Sequence, residues 1–185
     1  MAENTMNSKI FVISIDFGRS LNVSKEIIKR NDDLSIASTF TTDPEKEGMG
    51  INDNYEYYMD MTTAALSFKN NSLLYVSTDT NLSKGIVIDD LYNYDVFPMT
   101  VANYNSIADK VFDKFDVLTV WIDVKNSSSI SKQDLAETQY LMERLDSNKY
   151  MYFLKESDGE IAEVIEKYLK TEDEEEKNNI LVEFL

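Results

Sequence analysis

The chain of 185 residues contains no cysteine and no histidine. Without cysteine there is no disulfide framework and no thiolate chemistry. Without histidine the commonest general base and the commonest metal ligand are missing, along with every Ser/His or Cys/His nucleophile. A structural zinc site is effectively excluded as well. Long apolar runs are also lacking, and none approaches the roughly 20 residues of a membrane span. Positive charge is scarce: 18 Lys and Arg stand against 34 Asp and Glu, a formal net charge of -16. Such a field repels nucleic-acid backbones and anionic membranes, and it opposes small anionic ligands unless cations gather locally.

Hydrophobic residues make up 43% of the chain, enough for one domain with a proper core. Residues 1–8 are expected to be a flexible start, neither basic nor apolar enough for a signal peptide. A cytoplasmic location is therefore expected.

Lys9 to Ile15 reads as an apolar strand, followed by a helix carrying Ile27 and Ile28. Leu34 to Thr39, Tyr55 to Met59 and Leu73 to Val76 read as short strands, with a turn or two of helix over Met61 to Phe68. Lys84 to Tyr92 is expected to be helical. Val96 to Val101 is apolar enough for a buried strand, and its Pro98, which cannot donate to a ladder, argues for a sheet edge or strand end. A helix over Ala102 to Phe112 then leads to Val117 to Val124, the clearest central strand. A helix at Lys132 to Leu145 and a strand at Tyr150 to Leu154 follow.

Ser157 and Glu160 have capping-box spacing at the start of the next helix, and Thr171 with Glu174 repeats it before the last. That last helix carries Ile180, Leu181, Phe184 and Leu185 on one side, with packing on its own domain as the expectation. Strands alternating with helices predict an α/β fold, a parallel sheet flanked by helices. The strand-rich section at about 34–76 interrupts this rhythm and predicts a small inserted antiparallel β lobe.

Two stretches carry a family resemblance. "STFTTDPEKEGMGINDNYEY" at 38–57 is similar to a guanylate kinase segment reading Ser-x-Thr-Thr-Arg-x-x-Arg-x-Gly-x-x-x-Gly-x-Asp-Tyr-x-Phe. Thr41, Thr42, Gly48, Tyr55 and Tyr57 fall on its threonines, first glycine, tyrosine and closing aromatic without a gap. "YMYFLKESDGEIAEVIEKYL" at 150–169 resembles the last strand and helix of the same family. The resemblance implies a phosphate-loop kinase core over 9–170, with 171–185 as an extra C-terminal helix.

Against that family's pattern the site residues are altered. A phosphate loop needs G-x-x-x-x-G-K-[ST], so that backbone N–H groups, a lysine and a hydroxyl meet phosphate and Mg²⁺. Those four positions read Ile15, Ser20, Leu21 and Asn22, while Gly18 survives only at a variable one. Asp16 places a carboxylate where phosphate would approach. Like charges at 4 Å repel by about 4 kcal/mol at an intermediate dielectric. In the monophosphate site the resemblance puts the two phosphate-gripping arginines on Asp43 and Lys46, and the serine and tyrosine on Thr39 and Tyr55. The guanine-reading glutamate falls on or near Tyr75, and a Tyr-Gly pair on Lys84 and Gly85. Pro98 and Thr100 stand for an aspartate pair, and only "KNSSSISKQ" is left for the arginine-bearing lid.

Phosphoryl transfer is mostly positioning plus stabilisation of spreading negative charge, and that positive charge has been stripped out. The expectation is a catalytically inactive guanylate kinase-like domain, needing no cofactor or metal and acting as a protein-binding or assembly module. Its partner would be another protein or a second copy, as in a homodimer, not nucleic acid or membrane. The partner surface would centre on Asp43, Lys46, Tyr55 and Tyr75. One alternative is a divergent nucleoside monophosphate kinase using Mg-ATP, with Arg19, Lys46 and Lys84 as substitute phosphate binders. Another is an acidic decoy that mimics nucleic acid. Tyr55, Tyr57, Tyr58, Tyr92, Tyr94 and Tyr104 offer stacking faces, although half-buried packing accounts for them too. Asp89 and Asp90 point about 100° apart on a helix and make a poor metal pair.

Overall fold

Side-chain alternation builds the main sheet. In the computed structural model, which describes residues 8–79, 81–124, 130–145 and 149–184, β1 (Lys9–Ser14) is buried along its whole length. Ile10 and Val12 point to one face and Phe11 and Ile13 to the other, as a strand's period of two requires. β6 (Val96–Thr100) and β7 (Val117–Ile122) flank β1, and β8 (Tyr150–Phe153) lies beyond β7, all in parallel. α1 (Phe17–Arg30), α6 (Asp158–Lys170) and α7 (Glu174–Glu183) cover the Ile10 face. α4 (Val101–Phe112) and α5 (Lys132–Leu145) cover the Phe11 face. The result is a four-stranded parallel sheet between helical layers, with β7 central and Pro98 on the edge strand β6.

A second sheet has the order β3-β2-β5-β4, from β2 (Thr39–Thr41), β3 (Glu56–Tyr58), β4 (Leu73–Asp79) and β5 (Leu82–Val87). It departs from expectation in three ways. The β2–β3 pair is parallel, so the lobe is mixed rather than antiparallel. Leu34 to Ser38 is not a strand and makes one bridge, Ile36 to Val96. The first half of the expected helix Lys84–Tyr92 is instead β5, which carries the lobe sheet to Val87, past residue 76. Gly85 shows why pairing overrode the local pattern. A Cβ there would overlap the Tyr75 carbonyl oxygen and stand 2.9 Å from Phe40 Cε1, so only glycine lets β5 approach its neighbours. Helix resumes only at α3 (Asp90–Asn93), while α2 (Met61–Lys69) matches its expected span.

The Ser157–Glu160 capping box forms, with the Ser157 N–H donating to the Glu160 carboxylate at 2.6 Å. The second capping signal falls elsewhere. Thr171 turns back into α6, its hydroxyl donating to the Lys167 carbonyl at 2.7 Å, and Asp173 caps α7 by accepting from the Glu176 N–H. α7 packs on its own domain: Ile180 and Leu181 are buried, and the Phe184 ring lies 5.1 Å from that of Phe153. Leu185 lies outside the described residues. Among the described residues no helix is long and apolar enough to cross a membrane.

Candidate functional site

Open parallel sheets bind ligands at the carboxyl ends of their strands, where the strand order reverses. Here that point is the end of β1, between β6 and β7. The expected phosphate loop contains almost no loop. Only Ile15 and Asp16 separate β1 from α1, and Ser20, Leu21 and Asn22 already belong to the helix. Asp16 is the helix cap, its Oδ1 accepting from the Gly18 N–H at 3.0 Å. A carboxylate of the chain itself thus takes a free N–H at the helix start, where a phosphate would otherwise bind. Ser20 is buried and its hydroxyl donates to the Met99 carbonyl at 2.9 Å. Leu21 is buried as well. The Arg19 guanidinium, the nearest cation in sequence, lies 2.9 Å from the Asp158 carboxylate and donates to the Glu156 carbonyl.

These contacts predict the outcome of rebuilding the loop. Ile15→Gly, Ser20→Gly, Leu21→Lys and Asn22→Ser together place an ammonium in the core and delete the Ser20–Met99 bond. Urea melts of the fourfold variant are expected to show a loss of several kcal/mol, and calorimetry no ATP binding. ATP binding by a stable fourfold variant would show that the helix start can reopen into a loop.

On the lobe sheet the register sets a second constellation. Glu56 opposes Thr39, and Lys84 opposes Thr41, so all four share one face. The Glu56 carboxylate is buried and takes a hydrogen bond from each of two ammonium groups, Lys46 and Lys84, the latter at 2.9 Å. Burial pushes the Glu56 carboxyl up, and these two lysines outweigh it, holding the group below the ordinary carboxylate value. Tyr75 is buried on the same face, and burial lifts its phenol well above the usual tyrosine range, with nearby Thr39 offsetting part of the rise.

The arrangement of both sheets has a counterpart among solved structures. The crystal structure of guanylate kinase from Anaplasma phagocytophilum superposes with a TM-score of 0.55, over 90% of this chain and 86% of that one, at 12% identity. The fold is guanylate kinase-like. No protein-family model matches the chain, and no curated protein does.

Within this guanylate kinase-like frame, the residues matched to the monophosphate site divide. Thr39 and Tyr75 lie close together on one face, and Lys46 and Lys84 converge on Glu56. Asp43 does not join them: it caps the 3₁₀ turn Pro44–Lys46, accepting from the Glu45 N–H at 3.0 Å. Tyr55 has a left-handed backbone (φ 54°) and packs against the cluster of Ile10, Val23 and Ile36 instead. Thr100 caps α4 by accepting from the Asn103 N–H. Residues 125–129 of the segment expected in place of the lid lie outside the described residues. Among the described residues no group of three His, Cys, Asp or Glu could hold a metal.

Glu56 is the residue that sequence reasoning missed. Its signal was a lone acid in an otherwise aromatic strand, Glu-Tyr-Tyr, which gains meaning only once the register brings Lys84 opposite.

Proposed function

We propose that this chain is a catalytically inactive guanylate kinase-like domain that acts as a cytoplasmic protein-binding or assembly module, without cofactor or metal. One observation carries the reading. Each cation that could substitute for the missing phosphate binders is already engaged by a carboxylate of the chain. Arg19 pairs with Asp158, while Lys46 and Lys84 share Glu56. A nucleotide would have to displace these pairs inside a molecule of net charge -16. The lost attraction and added repulsion act on the charge that phosphoryl transfer must stabilise. The short turn into α1, capped by Asp16, supports the same reading from the other half of the site.

Thermal-shift measurement with ATP, GDP, GMP and Mg²⁺ tests it. A ligand at 100 times its Kd stabilises a fold by about 2.7 kcal/mol, an easily measured shift. No shift is expected with millimolar ATP or GMP. A saturable shift with GMP, or ADP formation in a coupled assay, would instead establish the divergent kinase.

A further inference from the structure

Beside the altered monophosphate site lies a second concavity of about 370 Å³ whose lining has a different chemistry. Tyr57 and Tyr58 of β3 and Asp90 and Tyr94 of α3 line it, with Met49 and Ile51 on the loop before β3. β3 is an edge strand of the lobe sheet, and its neighbouring Tyr57 and Tyr58, opposite Phe40 and Thr41, point to opposite faces, so the concavity wraps the sheet edge. It shares no lining residue with the Lys46–Glu56–Lys84 cluster.

Three features of the lining converge. Asp90 is half-buried, and it takes part in none of the ion pairs among the described residues. Three phenol rings border the same space, and aromatic faces attract cations. Met49 and Ile51 are about half exposed, at 50% and 58%, which leaves apolar surface for an aliphatic stem. The electrostatics agree with this geometry. Burial and then neighbouring Asp89 push the Asp90 carboxyl up to about 6, and Asp90 in turn helps to raise the Tyr57 phenol. A desolvated carboxylate beside a second carboxylate is a group that a cation would relieve.

We propose that this concavity receives a lysine or arginine side chain of a protein partner, its charge on Asp90 and its stem between the tyrosine rings and Met49 and Ile51. The inference rests on the protein-binding reading above and gives it a chemistry: the partner presents a basic side chain, complementary to a surface of strong negative charge. It is the opposite polarity from a phosphate site.

Nuclear magnetic resonance titration of the full chain tests this. The probes are a lysine-rich octapeptide, an arginine-rich octapeptide and a glutamate-rich control. Saturable shifts are expected at Tyr57, Tyr94 and Asp90 with the basic peptides and none with the acidic one. Asp90→Asn, close to isosteric at a half-buried position, should weaken the affinity at least tenfold with an unchanged melting temperature. Tyr57→Leu is the second variant, with the same expected direction. Shifts confined to the acidic stretch 172–176, or equal affinity in Asp90→Asn, would overturn the proposal. No binding of either basic peptide would overturn it as well. Adding GMP and Mg-ATP to the same samples keeps the two readings apart. Nucleotide shifts at Lys46 and Lys84 would sink the inactive-domain reading, whereas silence toward the peptides alone sinks only the basic-side-chain site.

Discussion

Replacing Glu56 with glutamine is expected to weaken the fold and to expose two cations at once. Glu56 is buried and hydrogen-bonded by Lys46 and Lys84. Hydrogen bonds to charged groups contribute about 1.5–3 kcal/mol, and part is recovered here because both lysines can reach water. The expected loss is about 1–3 kcal/mol in urea melts. The pH dependence has a defined sign. The Glu56 carboxyl lies below its ordinary value of 4.5 in the folded state, so its contribution is complete above that value. That contribution disappears as the pH falls from 4.5 through the depressed folded value. The parent should therefore lose stability on acidification in that window, and Glu56→Gln should lose less.

The freed lysines supply a second readout. Inorganic phosphate at millimolar concentration should raise the melting temperature of Glu56→Gln and leave that of the parent unmoved. Equal phosphate stabilisation of both proteins would mean that the lysines are available in the parent, contrary to the proposed function. An identical acid profile in both would mean that the Lys46–Glu56–Lys84 cluster contributes nothing to folding.

Deleting residues 172–185 is expected to have the largest effect on stability. Ile180 and Leu181 are buried against the main sheet's helices, and burying large apolar side chains contributes about 1.5–3 kcal/mol each. Phe184 adds its ring contact with Phe153, and its carbonyl accepts from the Tyr152 N–H at 2.7 Å, next to the β8 edge of the sheet. The sum is comparable to the whole stability of a marginal domain, about 5–15 kcal/mol. Truncation should bring the urea midpoint close to zero and leave the light-scattering mass unchanged. A dimeric parent whose truncated form is a stable monomer would show that α7 holds subunits together instead.

Much of the parallel core was legible in the sequence. The β-branched and aromatic run at Val117–Ile122 read as a buried central strand, and Pro98, a sign of a sheet edge or a strand end, lies on the edge strand β6. The Ser157–Glu160 box opened α6 at the expected place. Local signals failed where long-range pairing competed with them. Lys84–Tyr92 has a tolerable helical pattern, yet pairing with β2 and β4 and the bare Cα of Gly85 made its first half strand. At the other end, Thr171 had a choice between capping the next helix and bonding back into its own, and took the second.

The sequence by itself determined the chemical limits. It has no thiol, no imidazole and a large excess of carboxylates. These are statements about composition and adjacent residues, and no fold can add a missing group. What only the tertiary structure decided is how the remaining cations are used. Lys46 and Lys84 lie 10 and 28 residues from Glu56, and Arg19 donates to a carbonyl 137 residues away. Partners at such distances are chosen by strand register and helix packing, because a lysine in sequence says only that an ammonium exists. Register places it beside a carboxylate of its own chain or leaves it open to a ligand's phosphate.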